Sequence, residues 1–137
     1  MTTVLFACVA NAGRSQMAAA FFNQFADPKK ARAISAGTRP GTAVHPEVIT
    51  VMREVGIDLS QHAPRRLTPE LASTAQFLIT MGCGDECPYV PGTERDDWPL
   101  DDPKGQSVEA VRRIRDDIQR RVGAFVKSHG WQASEQP

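Results

Sequence analysis

The opening of this chain limits its fold more than any other feature. Thr3-Val4-Leu5-Phe6-Ala7 is a short apolar run, Cys8 follows at once, and a helical pattern begins by Arg14. A run of this length fits a strand buried on both faces. Met17, Ala20, Phe21 and Phe25 then recur at near-helical spacing until Asp27-Pro28 stops the helix. A buried strand that passes through a short loop into a helix is half of a βαβ unit, and its completion requires a parallel second strand.

The rest of the chain supplies the remaining pieces. Ala31 to Ser35 reads as the second strand, followed by the turn-like Ala36-Gly37-Thr38-Arg39-Pro40-Gly41. Pro46 opens a helix with Val48, Ile49, Met52 and Val55 on one face and Gly56 past its end. Thr68-Pro69-Glu70 has the form of an N-cap and first turn. Gln76 to Thr80 is the third strand, and Gly82 to Asp96 reads as a loop rich in Gly, Pro and acid. The last helix starts near Ser107, with a buried stripe of Val108, Val111, Ile114, Ile118, Val122 and Phe125. The expectation is an α/β fold: a single-domain doubly wound parallel sheet with helices on both faces. The domain is expected over residues 1–131, with 132–137 a frayed tail; there is no internal repeat and no linker. In such sheets ligands bind beyond the carboxyl ends of the strands. Cys8 follows the first strand and Cys83 the third, so parallel strands would bring both sulfurs to one edge.

Composition narrows the function. Among 137 residues, 16 Lys and Arg balance 16 Asp and Glu, so the chain lacks the positive excess that nucleic-acid binding by counterion release requires. No apolar run is long enough to span a membrane, and the N-terminus lacks the basic and apolar regions of a signal peptide. A cytoplasmic enzyme or small-ligand binder is expected, with no nucleic acid or membrane as partner. The three cysteines, Cys8, Cys83 and Cys87, are an odd number, which does not suit a structural disulfide framework. A zinc site from Cys83, Cys87 and two of His45, His62 and His129 lacks any H-x3-5-H pair to support it. No metal and no cofactor are expected.

The segment Cys8-Val9-Ala10-Asn11-Ala12-Gly13-Arg14-Ser15 carries the chemistry. Backbone amides from Val9 to Arg14 can turn inward to form an anion nest. The helix starting near Arg14 adds the positive end of its dipole. Arg14 offers a planar fork for two oxygens of a tetrahedral oxyanion. The same positive field favours the Cys8 thiolate, the nucleophilic form, and Ser15 can donate a hydrogen bond to it. Ala12 and Gly13 are small enough for close approach, Gly13 can take a positive φ, and Asn11 tolerates a left-handed conformation.

Placed between a strand and a helix, this loop resembles that of the low-molecular-weight protein tyrosine phosphatase family. Within that fold the chain looks like the thiol-dependent arsenate reductases. The resemblance runs from Val4 to about Phe125. It rests on Asn11, Arg14-Ser15-Gln16-Met17-Ala18, Ser35-Ala36-Gly37-Thr38, Gly56-Ile57-Asp58-Leu59-Ser60 and Trp98-Pro99-Leu100-Asp101-Asp102-Pro103. It implies a general acid at the Asp before Pro, Asp102, with Asp101 as second choice.

Two reactions share that loop. A phosphatase needs Cys8, Arg14 and Asp102, and water completes the hydrolysis. An arsenate reductase forms a Cys8 thiol-arsenate adduct and then needs another thiol to attack the Cys8 sulfur. Cys83-Gly84-Asp85-Glu86-Cys87-Pro88 supplies that thiol and one more, with Cys83 expected to act first and Cys87 second. The phosphatases resembled here place aromatic residues after the Asp-Pro, whereas Lys104-Gly105-Gln106 follows in this chain. That favours a small inorganic oxyanion: arsenate, with phosphate or sulfate competing. Some relatives bind potassium through a Glu in the first helix; Ala19, Ala63 and Arg65 at the matching positions imply no such site. Thioredoxin is the expected reductant of a monomeric enzyme, with mycothiol, or glutathione and a glutaredoxin-like partner, as alternatives. A non-catalytic oxyanion sensor is the reading from a different class.

Overall fold

A computed structural model describes residues 1–82 and 90–133. Four strands, β1 (Thr2–Cys8), β2 (Ala31–Gly37), β3 (Phe77–Thr80) and β4 (Glu94–Asp97), form one parallel sheet in the order β2-β1-β3-β4. Among the described residues four helices accompany them: α1 (Arg14–Phe25), α2 (Pro46–Arg53), α3 (Pro69–Ser73) and α4 (Val108–Ser128). β1 is central, and the chain leaves it towards β2 on one side and β3 on the other. The reversal of strand order falls at its carboxyl end, which positions the loop after Cys8 at the crevice.

Alternation along β1 feeds two cores. Val4, Phe6 and Cys8 face the larger core with Met17, Phe21 and Phe22 of α1, Val48 and Met52 of α2, and Val111, Ile118 and Val122 of α4. Leu5 and Ala7 face a smaller core with Ala36, Leu78 and Ala72 of α3. Helices therefore cover both faces, as the near-continuous apolar pattern of β1 requires.

Local signals set the helix ends. The Thr68 hydroxyl accepts from the Leu71 amide at 3.1 Å, and Ser107 Oγ from the Ala110 amide at 3.2 Å. On the expected α4 stripe Val111, Ile114, Ile118 and Val122 are buried, joined by Val126, while Val108 and Phe125 pack part-buried against the core. Arg115 is also buried on this face. It donates to the Val51 carbonyl at 2.8 Å and to Glu54 Oε1 at 2.8 Å, and Arg112 adds a two-pronged bond to the same carboxylate. These bonds, Arg112 first, hold the Glu54 carboxyl down at about 2 from its ordinary 4.5.

Two expectations are corrected. Residues 94–96, read as loop, belong to β4, which pairs residue for residue with β3. Its sequence, Glu-Arg-Asp-Asp, is exposed throughout, so no apolar alternation announces it. Gln132 and Ala133 were expected to begin a frayed tail. Instead Gln132 bridges Ala26, and the Ala133 amide donates to the Phe25 carbonyl at 3.2 Å. Among the described residues, no helix is long and apolar enough to cross a membrane.

Candidate active site

The loop from Cys8 to Gly13 is turned inside out relative to its surroundings. Thr38, Arg39, Gly41, His45 and Met17 donate their amides to the carbonyls of Cys8, Val9, Ala10, Ala12 and Gly13, at 2.8–3.1 Å. Gln16 Nε2 donates to the Asn11 carbonyl at 3.1 Å. Six consecutive carbonyls are thus held from outside. The C=O and N–H of a trans peptide point in opposite directions, so the amides from Val9 to Arg14 face the loop centre. This is the nest expected from the sequence, and its origin is the ring of donors behind it.

Close packing makes that ring possible. A side chain at Gly37 would place its Cβ 2.5 Å from the Val9 carbonyl oxygen and 2.9 Å from the Asn11 nitrogen. Gly13 is corrected: its φ is −144°, not positive. What its position requires is space, since a Cβ would lie 2.6 Å from Pro103 Cγ. Asn11, at φ 52°, is the left-handed residue of the loop.

At the mouth, Cys8 Sγ lies 2.9 Å from Ser15 Oγ. Asn11 Nδ2 donates to that hydroxyl at 2.7 Å. Asn11 Oδ1 accepts from the Arg65 amide at 2.9 Å, which fixes the flip of the Asn11 amide. The Ser15 hydroxyl hydrogen is left free to turn towards sulfur, and the second lone pair of Oγ is left free to accept from a thiol. Cys8 itself is 2% exposed, so reagents reach it only from the loop side.

Arg14 is buried along its length. Nη1 donates to the Leu100 carbonyl at 3.3 Å, and Nη2 stands 3.7 Å from Asp102 Oδ2. The Asp102 side chain is 57% exposed, and its Oδ1 accepts from the Lys104 amide at 3.0 Å. Asp101 instead lines a 330 Å³ cavity against α4, with Gln106, Arg113 and Asp117. The loop, Arg14 and Asp102 therefore come together, and Asp101 faces away. Gly82, at φ 102°, packs so closely on Arg14 that a Cβ there would fall on Nη1. Cys83 and Cys87 lie outside the described residues. Among the described residues no three His, Cys, Asp or Glu converge as a metal site. Ala19, Ala63 and Arg65 line a 230 Å³ cavity behind the loop together with Gln16.

Gln16, Gly37, Gly82 and the Leu100 carbonyl received no role in the sequence reading. Gln16 sits within the helix-start motif, but its contacts are to backbone that only folding brings near.

Residues 3–134 match the family described as low molecular weight phosphotyrosine protein phosphatase. A provisionally named arsenate reductase of Halobacterium salinarum is 41% identical over 121 residues, 85% of each chain. A glutaredoxin arsenate reductase of Synechocystis is 37% identical over 125 residues, covering 89% of this chain and 94% of that one. Among solved structures, the thioredoxin-dependent arsenate reductase of Corynebacterium glutamicum superposes with a TM-score of 0.81 at 37% identity. The match covers 93% of this chain and 61% of that one.

Proposed function

The chain belongs to the low molecular weight phosphotyrosine protein phosphatase family, and on that premise we propose that it reduces arsenate to arsenite through a disulfide relay, for arsenic detoxification. The observation that carries this reading is the nest itself: inward amides, Cys8 hydrogen-bonded to Ser15, and a buried Arg14, in a chain whose near full-length relatives are named arsenate reductases.

The Cys8 thiolate attacks arsenic while the oxyanion lies on the amides and the Arg14 fork. Asp102 gives its proton to the departing oxygen, which leaves as water, and a Cys8 S–As bond remains. The Cys83 thiolate then attacks Cys8 sulfur. An S–S bond forms, the S–As bond breaks, and its electron pair stays on arsenic, which leaves as arsenite. Cys87 attacks Cys83 next, freeing Cys8 and leaving a Cys83–Cys87 disulfide. The order is proposed because Cys83 is nearer in sequence to the end of β3 and Cys87 is further out along the loop.

Thioredoxin is the proposed reductant, since a relay that ends in an intramolecular disulfide suits dithiol exchange. The Corynebacterium protein is named as thioredoxin-dependent and the Synechocystis one for glutaredoxin, so both partners belong in the test. Arsenate-dependent turnover is measured with thioredoxin alone and with glutathione plus glutaredoxin, beside hydrolysis of p-nitrophenyl phosphate. Turnover with thioredoxin well above the glutaredoxin arm is expected, with weak phosphatase activity. Phosphatase activity without any arsenate-dependent thiol consumption would overturn the reading in favour of a phosphatase.

A further inference from the structure

Five of the six outward carbonyls of the loop are held by backbone amides, which any side chain would provide. The sixth, on Asn11, is held by the Gln16 side chain. Gln16 is buried, 4% exposed, in the first turn of α1. Its Nε2 also lies 3.3 Å from Asn11 Oδ1 and 3.3 Å from the Ala63 carbonyl. One amide group thus ties the helix, the loop and the 63–65 segment at a single point.

We propose that Gln16 is a positioning residue: it holds the Asn11–Ala12 peptide with its carbonyl outward, so that the Ala12 N–H points at the bound oxyanion. Asn11 is the one left-handed non-glycine residue among those described. The Asn11–Ala12 peptide is the one in the loop whose carbonyl is held by a side chain and not by a backbone amide, so it is the one freed to turn over, by rotation about ψ of Asn11 and φ of Ala12, when that tether is lost. A flipped peptide would present a carbonyl, not an N–H, to an anion. Gln16 would then act on oxyanion affinity without touching the ligand. This inference rests on the reading of the loop as an oxyanion site.

The test uses inorganic sulfate, whose charge is constant across the working pH range, so no arsenate chemistry is involved. Sulfate affinity is read from its protection of Cys8 against iodoacetamide, well below each variant's melting temperature. Native protein should be protected. Gln16→Leu should bind sulfate roughly tenfold more weakly or worse, given the cost of losing a buried amide hydrogen bond and the inward donor it orients. The sulfate-dependent shift of the Ala12 amide resonance should disappear with it. Val122→Ala, in the α4 core away from the loop, should lose thermal stability yet keep sulfate affinity within about twofold, separating position from general destabilisation. Gln16→Glu should bind weakly when ionised and recover on acidification, when its neutral carboxyl regains one donor for the Asn11 carbonyl. Unchanged affinity in folded Gln16→Leu, or no recovery of Gln16→Glu in acid, would overturn the inference while leaving the loop reading intact. An absence of sulfate protection in the native protein would overturn both.

Discussion

Cys8 Sγ and Ser15 Oγ face each other at 2.9 Å across the whole length of the anion loop, one at the end of β1 and the other in the first turn of α1. The hydrogen-bond partner of the Cys8 sulfur thus comes from the element that follows the loop. On the proposed mechanism Cys8 attacks as the thiolate, and Ser15→Ala removes a hydrogen bond to it worth ~1.5–3 kcal/mol. Single-turnover adduct formation with arsenate should slow about 10–100-fold, and rapid-quench measurement would show it. An unaltered rate would mean that the amides and Arg14 suffice.

Arg14 has its guanidinium fixed on the Leu100 carbonyl and beside Asp102. Arg14→Lys keeps the charge and loses the fork. Arsenate kcat/KM should fall by about tenfold or more, on the scale of one charge-assisted hydrogen bond. Equal kcat/KM in the two proteins would contradict a bidentate grip.

Gly82→Ala tests the contact on the other side of that guanidinium. The position has φ 102°, and a Cβ would collide with Nη1. The variant should lose more than about 1 kcal/mol of stability in denaturant titration. It should also bind sulfate more weakly than native protein. Native sulfate affinity in this variant would show that Arg14 is not set by the turn after β3.

Asp102 and Asp101 diverge in direction, one towards Arg14 and the other into the cavity against α4. Asp102→Asn should slow adduct formation by about 10²–10⁴-fold, the usual range for a general acid. Asp101→Asn should do much less. A reversed ranking in the same rapid-quench assay would move the acid by one residue.

The clamp between α2 and α4 predicts an acid limit to stability. The Glu54 carboxyl is held at about 2 by Arg112 and Arg115, below its ordinary 4.5. A depressed folded value means the unfolded chain binds the proton more readily. The contribution is complete above the ordinary carboxylate range and is lost as pH falls towards 2. Glu54→Gln should flatten the decline in melting temperature over that window, followed by circular dichroism. An identical acid slope in the variant would show that other carboxylates set it.

The legible parts of the fold were those whose chemistry is written in consecutive residues. Thr3 to Ala7 announced β1 because burial on both faces demands an unbroken apolar run, Thr68 announced its helix as a cap, and the last helix begins at Ser107, near where its apolar stripe placed it. β4 was illegible because backbone pairing with β3, not side-chain burial, holds Glu94–Asp97 in place. In the site, Cys8, Asn11, Arg14 and Ser15 share one short segment and could be read together. Gly37 and Ala63 act from other segments, through contacts that exist only after folding. For Gly13 the positive φ was wrong, and the packing against Pro103 that forbids a Cβ there comes from ninety positions away and leaves no local trace.

The charge that hid β4 has an effect outside the molecule. Among the described residues β4 is the last strand of the sheet, so one side of its backbone has no neighbouring strand there. An unpaired strand edge invites a second chain to add on, and through repetition to aggregate. Glu94, Arg95, Asp96 and Asp97 are all exposed there. A second copy docking edge to edge would have to desolvate this row of charges, three of them acids, with little apolar surface to bury in return. The charged row therefore disfavours use of this edge as a template, and replacing two of those acids with Val or Ile would be expected to weaken that protection.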